Sequence, residues 1–528
     1  MKRRNVLIGG AAAALGATLA RPSIAQPAKV LKFVPQANLS SLDPIWTSAT
    51  VAFIHGYMVW DLLYGLDEKL VPHPQMAAGH EESADGLTFT ITLRDGLTFT
   101  DGVPVRAADC VQSIMRWSKR NPMGGTLMSR TNELVALDDK RLQFRLKQRF
   151  PLLTYVLGGE GCFIMPERIA KTDAFTQISE IVGSGPFRYL PDEYVSGASV
   201  AYVRNEKYVP RQEAPSMWAG GKIAYFDRVE FKIIPDPATA SAALQRGEVE
   251  WYEQPRPDLI PNLLKNPAIR TEVLDPLGSL GVMRFNHLNA PFNNLKLRQA
   301  FIPALDQNDI IQAAYGDLAG KLGRADAGFY TSGSPFATGA GMDVLLGKRD
   351  MALARKLVAE SGYKGEEIVL MAPTDQPVLL ATAQVVNQLM KDMGLNVKYA
   401  SMDWGTLISR RAKKEPSAQG GWDMFCTTWA GLSTTSPGNS QPMRENGIDG
   451  WFGWAKSEKM EALRNQWFDA PTLAGQQEIA KQMQLLAIEE VPFLPTGMFF
   501  NPTAYRTSIT GLIKSGTVLM WGVKPVAA

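Results

Sequence analysis

Reactive side chains are sparse in this chain of 528 residues. The histidines are His55, His73, His80 and His287, and none stands at helix-ligand spacing from another or beside a cysteine cluster, so they assemble no zinc-type ligand set. His73 and His80 flank a proline-rich connector and are expected in solvent. Cys110, Cys162 and Cys426 have neither metal-like nor redox spacing; at most one disulfide can form among them, and three buried thiols are expected. No G-x-S-x-G elbow occurs, and no glycine-rich loop ends in Lys-Ser or Lys-Thr. In Val182-Gly183-Ser184-Gly185-Pro186-Phe187 the proline removes a donor and no helix start follows, so these glycines do not read as a phosphate cradle. The paired carboxylates Asp138-Asp139 and Glu489-Glu490 fall in a turn and at a helix end, which leaves general acid–base work without a candidate. These residues argue against an enzyme, a metal centre and a resident cofactor.

Aromatic residues at strand ends are the better lead. Glu367–Met371 reads as a strand, and Leu379, Ala383, Val386, Met390 and Met393 then fall on one helical face. Leu395–Ala400 returns as a strand, Leu407 and Ile408 sit in a short helix, and Trp422–Thr428 is a third strand. This alternation predicts right-handed crossovers and a parallel or mixed sheet. Ligands of open α/β sheets bind beyond the carboxyl ends of the strands. That rule selects Asp403-Trp404 and the run from Thr428 through Trp429 and Ala430 to Leu432. Met58 and Trp60 lie inside the apolar, helix-like run Phe53–Tyr64 and are expected in the core.

Further toward the N-terminus, Leu87, Phe89, Ile91 and Leu93 alternate with Thr88, Thr90 and Thr92, the period of a half-buried strand. Asp85-Gly86, Asp95-Gly96 and Asp101-Gly102 are turn pairs around it and predict a hairpin. After Pro104 the period becomes helical through Val111, Ile114 and Met115, so an amphipathic helix is expected from near Ala107. Leu134–Leu146 reads as another hairpin about Asp138-Asp139-Lys140.

The chain is long enough to bury a large core, with 45% apolar residues. Lys2-Arg3-Arg4, the uncharged run Val6–Ala20 and Ser23-Ile24-Ala25 make an export signal over residues 1–25, with cleavage expected after Ala25. The run is shorter than the roughly 20 apolar residues of a membrane span. Paired arginines before a mildly apolar core give the leader a twin-arginine character. No cysteine stands at the cleavage site, which argues against a lipoprotein. Four of the 55 basic residues, Lys2, Arg3, Arg4 and Arg21, lie in this leader, leaving 51 against 52 acidic ones, and so near-neutral a chain gives no reason to expect nucleic acid or an anionic membrane as a partner.

Asp85, Gly86, Thr88, Phe89, Thr90, Leu93, Arg94, Gly96, Phe99, Asp101, Gly102, Pro104, Ala107 and Asp109 together resemble a signature of the family 5 extracellular solute-binding proteins, the dipeptide, oligopeptide and nickel receptors of bacterial ABC importers. Thr100 departs from the usual His, Cys110 from Val, and Arg106 from the Thr that would cap the helix, a loss of about 1 kcal/mol. Leu42-Asp43-Pro44, Gly183-Ser184-Gly185-Pro186-Phe187, Phe226–Phe231, Ala243–Trp251, Asn286, Pro291-Phe292 and Leu297–Ala300 continue the resemblance in order.

The resemblance implies an α/β, two-lobed periplasmic binding protein fold of type II with an extra subdomain in the first lobe. It places lobe I at residues 28–275 plus 495–528, with the subdomain at about 60–185, and lobe II at 276–494. Crossings near Pro276–Val282 and Val491–Thr496 would form the hinge. It implies a monomer in the periplasm that takes a small molecule or peptide and delivers it to the permease and ATPase subunits of an importer. A chaperone or sensor on the same fold is the competing reading, and a hydrolase the weakest one. Trp404 and Trp429 resemble pocket walls of peptide-binding relatives, and the loop Gln36–Ser41, with Asn38, would face the cleft. Peptide receptors of the family place an Asp where this chain has Leu432, to pair with a ligand's α-amino group. Ser433, Thr434, Thr435 and Ser436 supply no compensating charge. An ammonium buried there unpaired is costly, so the expected ligand is a peptide held by another acidic group or a solute without a free amine at that end.

Overall fold

The computed structural model describes residues 28–47 and 49–526, so the leader read at residues 1–25, Arg3-Arg4 included, lies outside the described residues. Two large sheets carry the architecture. The first is seven-stranded, in the order Ile269–Glu272, Thr503–Arg506, Trp251–Tyr252, Val30–Val34, Arg228–Lys232, Ser199–Arg204 and Phe187–Tyr189. Val30–Val34 runs parallel to both its neighbours, while the outer pairs are antiparallel. The second is six-stranded, in the order Gly323–Arg324, Phe493–Phe499, Ser279–Phe285, Met424–Ala430, Ile368–Pro373 and Val397–Met402. Its last strand in sequence, Phe493–Phe499, runs past Pro495, where the sequence suggested that the chain rejoins the first lobe. Seven backbone positions of that strand are buried against Ser279–Phe285 and its surroundings, and the ladder holds the chain in this sheet until Phe499. The segments passing between the sheets are therefore 273–278 and 500–502.

A four-stranded antiparallel sheet, ordered Ala77–Glu82, Thr88–Leu93, Arg141–Leu146 and Thr131–Ala136, stands apart from both. Phe89, Ile91 and Leu93 of its second strand are buried and the threonines between them are not, as their alternation dictates. Asp85-Gly86 turns the chain back onto Ala77–Glu82, with Gly86 at φ 70° and Asp85 Oδ1 accepting the Leu87 N–H at 3.0 Å. Asp101-Gly102 closes only the single bridge Thr98–Pro104. The helix then runs Ala107–Ser118, burying Val111 and Ile114 while Met115 stays exposed. No hydroxyl caps it; Asp109 accepts the N–H groups of Arg106 and of Glu167, each at 2.7 Å, and so recovers the cap from inside the first turn.

The apolar run at Phe53–Tyr64 is helical only as Thr50–Val59. The segment Gly183–Gly185 crosses over its end so closely that a Cβ on Gly183 would lie 2.0 Å from the Val59 carbonyl oxygen. The Gly185 N–H donates to that same oxygen at 2.8 Å, and the Trp60 indole donates to the Val182 carbonyl at 2.9 Å. These glycines serve backbone contact. Met58 and Trp60 are fully buried, the three cysteines are buried and free, and His73 and His80 are exposed. No helix among the described residues is long and apolar enough to cross a membrane.

Candidate functional site

Ile368–Pro373 is parallel to both Val397–Met402 and Met424–Ala430, so three carboxyl ends reach one edge of the second sheet. There Asp403 caps the helix Trp404–Arg410, its Oδ1 accepting the Thr406 N–H at 3.0 Å and its Oδ2 the Thr406 hydroxyl at 2.6 Å. The Trp404 N–H donates to Asp375 Oδ1 at 2.9 Å, which fixes the start of the helix against the neighbouring strand's end. Met424–Ala430 delivers Thr428, Trp429 and Ala430, and a tight turn over Gly431–Thr434 follows. The Gly431 N–H donates to the Gly278 carbonyl at 2.6 Å, and a Cβ on Gly431 would meet the Leu277 carbonyl oxygen at 2.3 Å. Only glycine lets this turn seat on the segment between the sheets.

Trp404, Thr428, Trp429, Ala430 and Leu432 together line one wall of a cavity of about 810 Å³, a volume within the roughly 300–1,000 Å³ of small-ligand sites. Asn38 is not with them. Its Oδ1 accepts the Gly197 N–H at 3.0 Å and its carbonyl the Ser40 N–H at 3.0 Å, which turn it toward a different loop. The chain enters the wall later, at Pro44, Ile45 and Thr47. The facing wall is built from Phe53, from Trp117 and Met123 at consecutive helices, and from Tyr155, Glu160 and Gly161. None of those was singled out from the sequence. The one signal that could have found Glu160 is its place in Gly158-Gly159-Glu160-Gly161, a run too glycine-rich for a regular element.

The aromatic side chains are braced from behind. Trp429 meets Trp451 edge-on at 5.2 Å, and its indole N–H has no partner among the described residues. The Arg411 guanidinium lies 4.8 Å from the Phe452 ring and 5.7 Å from that of Trp404, within cation–π range. Burial holds Arg411 below the usual arginine range, and its Nε has no hydrogen-bond partner among the described residues. Across the cavity the Trp117 indole and the Asn121 amide donate to the Glu160 carbonyl, at 3.1 and 3.4 Å, and pin that residue's backbone. Burial pushes the Glu160 carboxyl up to about 7. Arg120 is at the rim, donating to the Trp46 carbonyl at 2.7 Å. Burial also pushes the Tyr155 phenol up, opposed by hydrogen bonds from the Thr435 and Asn439 side chains of the facing loop. This arrangement can enclose a solute between aromatic faces and present one carboxylate and two guanidinium groups to it; among the described residues it holds no nucleophile–base pair and no cluster of His, Cys, Asp or Glu fit for a metal ion.

Residues 71–451 match the family described as bacterial extracellular solute-binding proteins, family 5 Middle. The chain is 37% identical over 537 residues to a probable peptide ABC transporter periplasmic-binding protein of Sinorhizobium fredii, covering 99% of each. It is 24% identical to the glutathione-binding protein of Salmonella paratyphi A over 524 residues, 94% of this chain and 95% of that one. Its fold matches the crystal structure of a dipeptide binding protein from Pseudoalteromonas in complex with Met-Leu, with a TM-score of 0.76 at 19% identity, over 94% of this chain and 100% of the other.

Proposed function

The chain belongs to the bacterial extracellular solute-binding proteins of family 5, and we propose that it captures a peptide-like solute in the cavity between its two sheets and hands it to an ABC permease. It is a transport receptor and not an enzyme. The observation that carries the ligand reading is the cavity itself, whose aromatic and charged residues come from both sides of the molecule. Relatives named for peptides and for glutathione support the same solute class.

Lobe I comprises the seven-stranded sheet with the four-stranded sheet as its inserted subdomain, and lobe II the six-stranded sheet. The two crossings at 273–278 and 500–502 act as the hinge. A solute touching both walls favours the closed arrangement by its differential affinity for it. The protein works as a monomer in the periplasm, exported as a soluble chain through the twin-arginine route by Arg3-Arg4. Replacing both arginines with lysine should hold the precursor in the cytoplasm; normal periplasmic yield would show that the general secretory route is used.

The pocket walls are tested by Trp429→Ala and Trp404→Ala. Each should weaken peptide binding by about 2 kcal/mol, as expected of large buried aromatic contacts, with the far-ultraviolet circular dichroism unchanged. Loss of fold together with loss of binding would assign them to the core instead.

A further inference from the structure

Two of the cavity's three charges, Glu160 and Arg411, stand on opposite sides; the third, Arg120, is on Glu160's side and donates to the Trp46 carbonyl. Glu160 is the one carboxylate on its lining, and it projects from the wall formed by residues 155–161. Arg411 lies on the other wall, beyond the second sheet's strand ends. The loop that follows Trp429 is neutral from Ala430 to Ser436 and ends its contribution to the cavity in Leu432 and Ser433.

Neither charge is satisfied from within the protein. Among the described residues no Lys, Arg or His nitrogen lies within 4.0 Å of the Glu160 carboxylate, and burial alone accounts for the rise in its proton affinity. Its backbone, by contrast, is tightly held by Trp117 and Asn121, and a Cβ on Gly161 would sit 2.9 Å from the Phe53 ring. A carboxylate on so fixed a support, half-buried and without a donor, is costly unless something else neutralises it. Arg411 presents the complementary case. Its guanidinium lies beside two rings with its Nε unpartnered, and no carboxylate is within 4.0 Å of it among the described residues.

Resting on the reading of a peptide-like solute, we propose that Glu160 receives the cationic end of the ligand and Arg411 its carboxylate. The solute is then zwitterionic and spans the cavity from one wall to the other. An ammonium at Glu160 exchanges a desolvated lone carboxylate for a charge-assisted hydrogen bond. Because the two partners stand on opposite walls, neither half of the ligand gains its full interaction until the walls come together.

The groups packed around Glu160 leave its titration to the ligand. Tyr57 and Cys162 are both pushed up by burial and stay neutral, Arg120 is bonded to the Trp46 carbonyl, and Arg411 faces it from the other wall. A buried carboxyl with a raised proton affinity contributes stability below its unfolded value, near pH 4.5, and loses it as the pH rises through about 7. Glu160→Gln should therefore raise the thermal midpoint of the ligand-free protein at pH 8 while lowering its affinity, a combination that a residue of purely structural importance would not give.

The test is calorimetry at pH 8 with trialanine and N-acetyl-trialanine on the wild type, Glu160→Gln and Arg411→Gln. Trialanine should bind the wild type, acetylation should weaken it by about tenfold or more, and in Glu160→Gln acetylation should cost nothing further. Amidating the carboxyl end should show the same dependence on Arg411. An acetylation penalty undiminished in a folded Glu160→Gln protein overturns the assignment while leaving the peptide reading intact. Binding of neither peptide by the wild type overturns the peptide reading, and the assignment with it.

Discussion

Asp43→Ala should lower the stability of the protein by about 3–5 kcal/mol, the usual cost of stranding one partner of a buried ion pair. Asp43 and Arg116 are both buried, and they meet through two contacts, Nη1 to Oδ1 at 3.1 Å and Nη2 to Oδ2 at 2.6 Å. The same carboxylate accepts the N–H groups of Ile45, Trp46 and Ile178, at 3.1, 3.2 and 3.0 Å. Arg116 also donates to the carbonyls of Thr172 and Thr176. One side chain thus ties the strand-to-helix loop, the helix Ala107–Ser118 and the segment 172–178 together. Removing it leaves a guanidinium in the core and frees the loop that carries Pro44 and Ile45 in the cavity wall. Asp43→Asn keeps acceptors for the loop N–H groups but not the charge, and should fall between wild type and Asp43→Ala. Urea unfolding measures both, and a loss under about 1 kcal/mol for Asp43→Ala would remove the ion pair from the account.

Trp467→Ala should act on ligand affinity more than on the ligand-free fold. The helix Glu458–Asp469 buries Met460 in the core of the second sheet, yet its other end carries Trp467 and Phe468, fully buried against the subdomain's core. Phe468 stacks on Phe150 at 5.9 Å, and the Arg130 guanidinium lies 5.3 Å from the Phe468 ring and 5.6 Å from that of Phe150 while pairing with Asp469. Gln148 donates to the same aspartate at 3.2 Å, and Trp467 meets Phe336 edge-on at 5.3 Å. The contacts of Phe468 and Asp469 join elements of the two proposed lobes, whereas Phe336 lies in the same lobe as Trp467; opening the hinge would uncover the part of the indole that is buried in the first core. Truncating a buried tryptophan costs about 3–5 kcal/mol, here falling chiefly on the closed form, and peptide affinity should fall by roughly thirtyfold or more. Calorimetry and ligand-free urea unfolding separate the two possibilities. A full loss of stability with affinity unchanged would place Trp467 in a permanent core.

The second wall of the cavity was legible because strand, helix and strand follow one another there with clear periods. The strand-end rule needs only that order to select Trp404 and the run from Thr428 to Leu432. The first wall was not, because it is assembled from helix ends and loops at 44–53, 117–123 and 155–161, which no local period brings together. Glu160 sits in such a segment, and its significance depends on what fails to reach it. Asn38 shows the converse limit: a loop following the first strand was placed correctly in the chain, but its side chain bonds to Gly197 and leaves the cavity to the residues after Asp43. The boundary near Pro495 slipped for a different reason. Strand Phe493–Phe499 includes Pro495 and Gly497, residues that ordinarily argue for a break, and the ladder with Ser279–Phe285 carries it through with an irregularity between Leu280 and Val282.

Closure of this receptor over its solute is tested most directly by small-angle scattering. The radius of gyration of the leader-free protein should fall when a saturating tripeptide mixture is added, and should return when the peptide is dialysed away. Saturable binding of those peptides with an unchanged radius would contradict closure and leave a rigid, preformed cavity in its place.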